Sequence, residues 1–143
     1  MATPALTPSP APSASPSADL ASLASQYTDL SDKGNAAIVQ CNKDKAAAVG
    51  SLAKSKAAAQ ERLTSYIGYV ADLKAINWGP AQPQADKVID VLNKIDTLME
   101  QMANATSAST FRVAYDQLPL AEVDLLVAAN ALRVALGLSP VAS

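Results

Sequence analysis

Apolar side chains recur every three or four residues through most of this chain, in four segments separated by short breaks. That spacing places them on one face of an α-helix, whereas a half-buried strand would alternate at every second residue. Alanine, which favours helix over strand, supplies much of the apolar content, and aromatic residues make up only 4% of the chain. A length of 143 residues suits one domain. The pattern therefore predicts a single all-α domain.

Glycine and proline mark the ends of the predicted helices. Gly50 is the best break between the first two, and the stretch "INWGPAQPQ" at 76–84 ends the second. Pro119 is expected to kink the fourth helix, and Gly137 to end it. The similar lengths and short connections predict an antiparallel up-down-up-down four-helix bundle over residues 19–138. Its helices are expected at about 19–47, 51–76, 82–104 and 108–136.

Three side chains on the predicted core faces, Tyr27, Tyr66 and Met99, are candidates to line a ligand cavity. They lie on the first, second and third helices, so a four-helix core would bring them together. The many alanines, with Gly34, would either leave space between the helices or allow tight packing. If space remains, a cavity of roughly a few hundred Å³ would hold a small apolar ligand.

The single tryptophan and the single cysteine each have two interpretations. Trp78, beside the second break, either plugs one end of the core or marks a binding site there. Cys41 lies on the apolar face of the first helix, where a thiol is expected to be inert rather than nucleophilic.

The fourth predicted helix is apolar on two opposite sides. At about 100° per residue, a leucine-rich face points towards the predicted core. Four further apolar side chains point nearly the opposite way: Leu120, Val123, Val127 and Val134. A helix of this kind is normally buried on both sides. The second stripe therefore either contacts neighbouring helices or forms an interface with a homodimer partner or another protein.

The first 18 residues are expected to lie outside the fold as a disordered, semi-extended spacer. Ordering residues 3–18 would cost on the order of 20 kcal/mol, and the only large apolar side chain there, Leu6, offers about 2 kcal/mol. Five prolines bias this stretch towards polyproline II. The alternative is a disordered terminus without a role.

The composition argues against several functions. The chain has no histidine, which removes the usual general base and the commonest metal ligand, and it contains no glycine-rich phosphate loop. We therefore expect no enzyme activity, no cofactor and no metal site. The formal net charge of -2 provides no basic field for nucleic acid. No apolar run reaches the length of a membrane span, so membrane contact is expected only through an N-terminal anchor that this sequence lacks.

Several short stretches resemble a group of small actinobacterial secreted proteins and predicted lipoproteins. These are Tyr27, residues 35–37, the turn "AINWGP" at 75–80 and the ending "ALRVALGLSP" at 131–140. The resemblance covers about residues 20–140. It implies a four-helix domain that follows a Pro/Ser/Thr-rich segment outside the cell membrane, without catalytic residues. The Trp78–Gly79 turn also distantly resembles the helical hairpins of type VII secretion, although their Trp-x-Gly spacing is missing.

Two functional hypotheses follow. The first is a non-catalytic secreted or envelope-tethered domain that acts through contacts with proteins or with the cell surface. The second is a carrier that holds a small apolar ligand in the bundle core.

Overall fold

The computed structural model describes the backbone of residues 16–47 and 50–141, and the side chains of residues 19–43 and 50–141. Over these ranges the chain forms four helical segments and no strand, so the predicted all-α class is confirmed. The up-down-up-down order of the helices remains a prediction. Most of the predicted spacer, residues 1–15, lies outside the described residues, and the first helix begins at Pro16.

Two of the helices begin at serine caps. Ser51 caps the second helix by accepting a hydrogen bond from the amide of Lys54 at 3.2 Å, and Gly50 before it has a positive φ of 85°. Ser107 accepts in the same way from the amide of Thr110 at 3.1 Å. The helices are α1 (Pro16–Ala47), α2 (Leu52–Lys74), α3 (Gln82–Ala103), α4 (Ala108–Tyr115) and α5 (Leu118–Ala135), with a 3₁₀ turn at Gly79–Ala81.

The fourth segment differs from the expected single kinked helix, because it is divided into α4 and α5. Pro119 has no N–H to donate to the carbonyl of Tyr115, so it sits in the first turn of a new helix, where that donor is not needed. At the other end, Gly137 has a φ of 80°, and the amide of Leu138 reaches back to the carbonyl of Arg133 at 2.8 Å. This pattern ends α5 as the sequence predicted.

Helix α3 forms the centre of the packing. It contacts α2, α4 and α5, while α1 packs mainly against α2. The spacing of its apolar residues by three and four predicts a core face of seven side chains. All seven are buried, and Val91 is buried beside them. The predicted set is Ala85, Val88, Ile89, Leu92, Ile95, Met99 and Met102.

Trp78 closes one end of this core. Its side chain is fully buried, its indole N–H donates to the carbonyl of Leu73 at 2.9 Å, and its ring meets Tyr27 edge-on at 6.0 Å. With its polar atom satisfied and its ring enclosed, Trp78 is a plug rather than a binding-site residue.

Asp96 on α3 predicts a pH dependence of stability. Burial, followed by the nearby charge of Glu100, raises the pKa of Asp96 from 3.8 to about 6, and its Oδ1 is buried without a hydrogen-bond partner among the described residues. Because the folded-state pKa is above the unfolded one, the native state binds more protons between these values. The free energy of unfolding should therefore fall as pH rises from about 4 to about 7.

Replacing Asp96 with asparagine should remove this decrease in the free energy of unfolding with rising pH. Since the carboxylate is partly solvated, we expect Asp96→Asn to stabilise the protein by only about 1 kcal/mol above pH 7, and not at pH 4. Urea unfolding at both pH values measures the effect. Asp90→Asn, at an exposed position of the same helix, is the control and should leave the pH dependence as it is. An equal response of both variants would contradict the prediction.

Candidate functional site

A cavity of about 570 Å³ lies between α2, α3 and α4, beside the end of α1. We call it the methionine cavity, after Met99 and Met102. Phe111 and Tyr115 on α4 also line it, with their rings stacked at 6.2 Å. On the α2 side, Ala58 and Ala59 are small lining residues that leave space in the cavity.

A second cavity, of about 550 Å³, lies between α1, α2 and α5. We call it the tyrosine cavity, because Tyr27, Tyr66 and Tyr69 line it. Gly34 adds to the space on the α1 side: a β-carbon there would stand 3.6 Å from the ring of Tyr69. Leu125 and Ala129 of α5 form part of the opposite wall.

Arg62 on α2 stands where the two cavities adjoin and lines both. Its side chain is only 13% exposed. Its Nη2 donates to Oε1 of Glu122 at 2.7 Å and to the hydroxyl of Tyr66 at 3.3 Å, and its guanidinium lies 5.5 Å from the centre of the Tyr66 ring. The Nε atom is buried and has no hydrogen-bond partner among the described residues. Arg62 is thus a half-buried cation with one buried donor unsatisfied.

The surroundings of Arg62 keep it charged and its tyrosine neighbours neutral. Burial works against the guanidinium, but Tyr66 and Glu122 outweigh it, and the net pKa of Arg62 is raised. Burial is also the main reason that the pKa values of Tyr66 and Tyr69 are raised. At neutral pH the region where the cavities meet therefore combines a cation with neutral hydroxyl groups.

The three predicted cavity residues are not brought together in one space. Tyr27 and Tyr66 line the tyrosine cavity, while Met99 lines the methionine cavity. The two cavities adjoin and share Cys41, Asn42 and Arg62 as lining residues, so a ligand site formed by all three predicted residues remains a prediction. Cys41 is buried at the same junction and lines both cavities.

The predicted second stripe on α5 is exposed. Leu120 is 71%, Val123 56%, Val127 65% and Val134 58% exposed. The interpretation in which these side chains contact neighbouring helices is therefore wrong for the described part of the chain. The interface interpretation remains a prediction.

The ion pair of Arg62 and Glu122 was missed by sequence reasoning. A signal was present, because Arg62 falls between Ala59 and Tyr66 on the apolar face of the second helix. A charged residue at such a position must find a partner or reach solvent. The sequence did not indicate that α5 supplies Glu122 as that partner.

Comparison with known protein families, with curated proteins and with solved structures found no match. Within the described residues, no helix is both long enough and apolar enough to cross a bilayer. The same part of the chain contains no group of three acidic or cysteine side chains that could hold a metal ion.

Proposed function

We propose that this protein is a non-catalytic helical binding protein whose methionine and tyrosine cavities hold a small apolar molecule. The observation that supports this most directly is the size and position of the cavities. About 570 and 550 Å³ are volumes typical of ligand pockets, and both cavities reach between the helices of the core. Space between bundle helices is a common location for ligand sites.

The residues around the cavities support an apolar occupant. Both cavities are partly open to solvent, so the apolar side chains that line them contact water when no ligand is bound. Buried Met99 and Met102 are flexible enough to adapt to molecules of different shape. A bound apolar molecule would displace that water and increase the stability of the folded state.

Titration of the full chain with 1-dodecanol, an uncharged apolar probe, tests this proposal by calorimetry. Ala58→Phe places a ring in the methionine cavity, and Ala129→Phe places one in the tyrosine cavity. The phenylalanine that fills the cavity in which dodecanol binds should weaken binding about tenfold or more. The matched controls Ala57→Phe and Ala131→Phe, at exposed positions of the same helices, should bind as the parent does. No binding by the parent, or equal binding by all four variants, would refute the proposal.

The predicted location outside the cell membrane is part of the same proposal. It is supported by the proline-rich residues 3–18, whose composition suits a spacer. Mass spectrometry of the native protein from envelope and cytosolic fractions would test it. A processed or lipidated N-terminus in the envelope fraction is expected, and an unprocessed cytosolic protein would refute this part.

A second candidate function is self-association through α5. Leu120, Val127 and Val134 are spaced by seven residues, the repeat that aligns a seam along a partner helix, and all three are exposed. A second copy of this chain carries the same seam, so a symmetric pair would cover both. We propose a second copy as the occupant of this face.

Val127→Glu should abolish that association, because it would bury a charge at the centre of the seam. Sedimentation velocity is expected to show a dimeric parent and a monomeric variant with unchanged helix content. Val113→Glu, at a similarly exposed valine on α4, serves as the control and should stay dimeric. A monomeric parent would exclude this second function.

A further inference from the structure

We infer that the molecule in the methionine cavity carries a single carboxylate on an apolar body, and that Arg62 binds the carboxylate. This inference rests on the proposed function and narrows its ligand class. The charges around the cavity are the first observation. Two arginines, Arg62 and Arg112, line it, and none of the described lining residues is Asp or Glu. Each arginine has a carboxylate partner outside the lining, Glu122 for Arg62 and Asp116 for Arg112, so this cavity differs from its neighbour in presenting cationic groups and no carboxylate to a ligand.

The tyrosine cavity lacks this preference. Asp32 and Glu122 line it together with Arg62 and Arg133, so its charges balance. An anionic group entering there would lie beside the two carboxylates. The carboxylate is therefore assigned to the methionine side of Arg62, while Glu122 accepts from Nη2 at 2.7 Å before the ligand binds.

The hydrogen bonds of Arg62 provide the second observation. A buried donor without a partner loses the hydration it has in water, and the loss is larger for a charged group. The Nε atom of Arg62 is such a donor. Because solvent does not reach this atom, ligand binding must include a rotation of the guanidinium towards the cavity. The new charge-assisted hydrogen bond would satisfy the remaining donor.

Arg112 contributes charge at the cavity mouth rather than a fixed hydrogen bond. Its side chain is 77% exposed, and its Nε lies 3.6 Å from Oδ1 of Asp116, which is also exposed. The carboxylate of Asp116 offsets much of the charge of Arg112, and water screens what remains. Arg62 is thus the binding residue, and Arg112 a weaker attraction at the entrance.

The walls around Arg62 suit the apolar part of such a molecule. Beyond the guanidinium, the cavity is bounded by Met99, Met102 and the stacked rings of Phe111 and Tyr115. A linear or aromatic hydrocarbon would contact these side chains while its carboxylate stays at Arg62. Fatty acids and aromatic acids both belong to this class.

Calorimetric titration with dodecanoate and with 1-dodecanol distinguishes the contribution of the carboxylate to the binding affinity from that of the apolar chain. We expect the parent to bind dodecanoate about tenfold more tightly than dodecanol, as one charge-assisted hydrogen bond implies. Arg62→Met should remove that advantage, so that the two probes bind the variant with similar affinity. Lys54→Met, at an exposed position of α2, is the matched control and should behave as the parent.

The outcomes distinguish this inference from the proposed function. If neither probe binds the parent, both fail. If dodecanol binds but dodecanoate is no tighter, or if Arg62→Met keeps the preference, only the carboxylate inference is overturned. Should Arg62→Met fail to fold, Arg62→Lys keeps the charge and the apolar stem but lacks Nε. A several-fold loss of dodecanoate affinity in that variant supports the inference, and parent-like affinity overturns it.

Discussion

Replacing Trp78 with alanine is expected to destabilise the protein by about 4 kcal/mol, the largest effect of any single change we predict. The indole is fully buried at the end of the core and contacts Tyr27 edge-on. Alanine would leave a cavity of nearly the whole ring and would remove the donor to the carbonyl of Leu73. The turn that joins α2 to α3 would no longer be held against the core by this buried side chain.

Urea unfolding followed by far-ultraviolet circular dichroism measures this change, because Trp78 is the only tryptophan and fluorescence would be lost with it. Trp78→Phe is the control. It keeps most of the buried ring but loses the indole N–H, so a smaller cost of about 1–2 kcal/mol is expected. A decrease of less than about 1 kcal/mol in the free energy of unfolding of Trp78→Ala would show that Trp78 contributes little to packing at this end of the core.

The second large effect is expected at Glu122. Glu122→Gln should destabilise the protein by about 2 kcal/mol, because it leaves the half-buried guanidinium of Arg62 without a counter-charge. The loss of one partner from a fully buried pair costs about 3–5 kcal/mol, and the 43% exposure of Glu122 reduces that figure. Arg62→Met should cost less, since Met retains the apolar stem and Glu122 is solvated once its partner is gone.

A double-mutant cycle checks this asymmetry. With Arg62 already replaced by methionine, adding Glu122→Gln should change the free energy of unfolding by less than about 0.5 kcal/mol. Gln60→Glu, which changes one charge at an exposed position of α2, is the control. It shows how much a surface substitution alone changes the free energy of unfolding. Additive effects of the two single changes would show that the 2.7 Å contact contributes no coupling energy.

The helices and their core faces were largely predictable from local spacing. Helix α3 is the clearest example, since every residue predicted for its core face is buried. Its apolar residues lie on one side and its charged ones on the other, so the face that packs inward is unambiguous. The break between α4 and α5 was predicted only as a kink, because the spacing that surrounds Pro119 continues across it.

The candidate site was less predictable, because it depends on how the helices approach one another. Of the three candidate cavity residues, Tyr27 and Tyr66 line the tyrosine cavity and Met99 lines the methionine cavity, and no sequence pattern distinguished the two spaces. A helical pattern specifies which residues share a face. It does not specify how far that face stands from its neighbour or which charge arrives from another helix.

The sequence by itself determined that this chain is helical, where its helices break and which faces are apolar, because these properties depend on contacts within a few residues. Only the tertiary structure decided that the helices leave two adjoining cavities and that Arg62 is half-buried where they meet, with Glu122 of α5 as its partner. It also decided that Val127 and its neighbours face outward. Packing distances and long-range charge pairs join residues far apart in the chain, such as Arg62 and Glu122, and no local pattern records them.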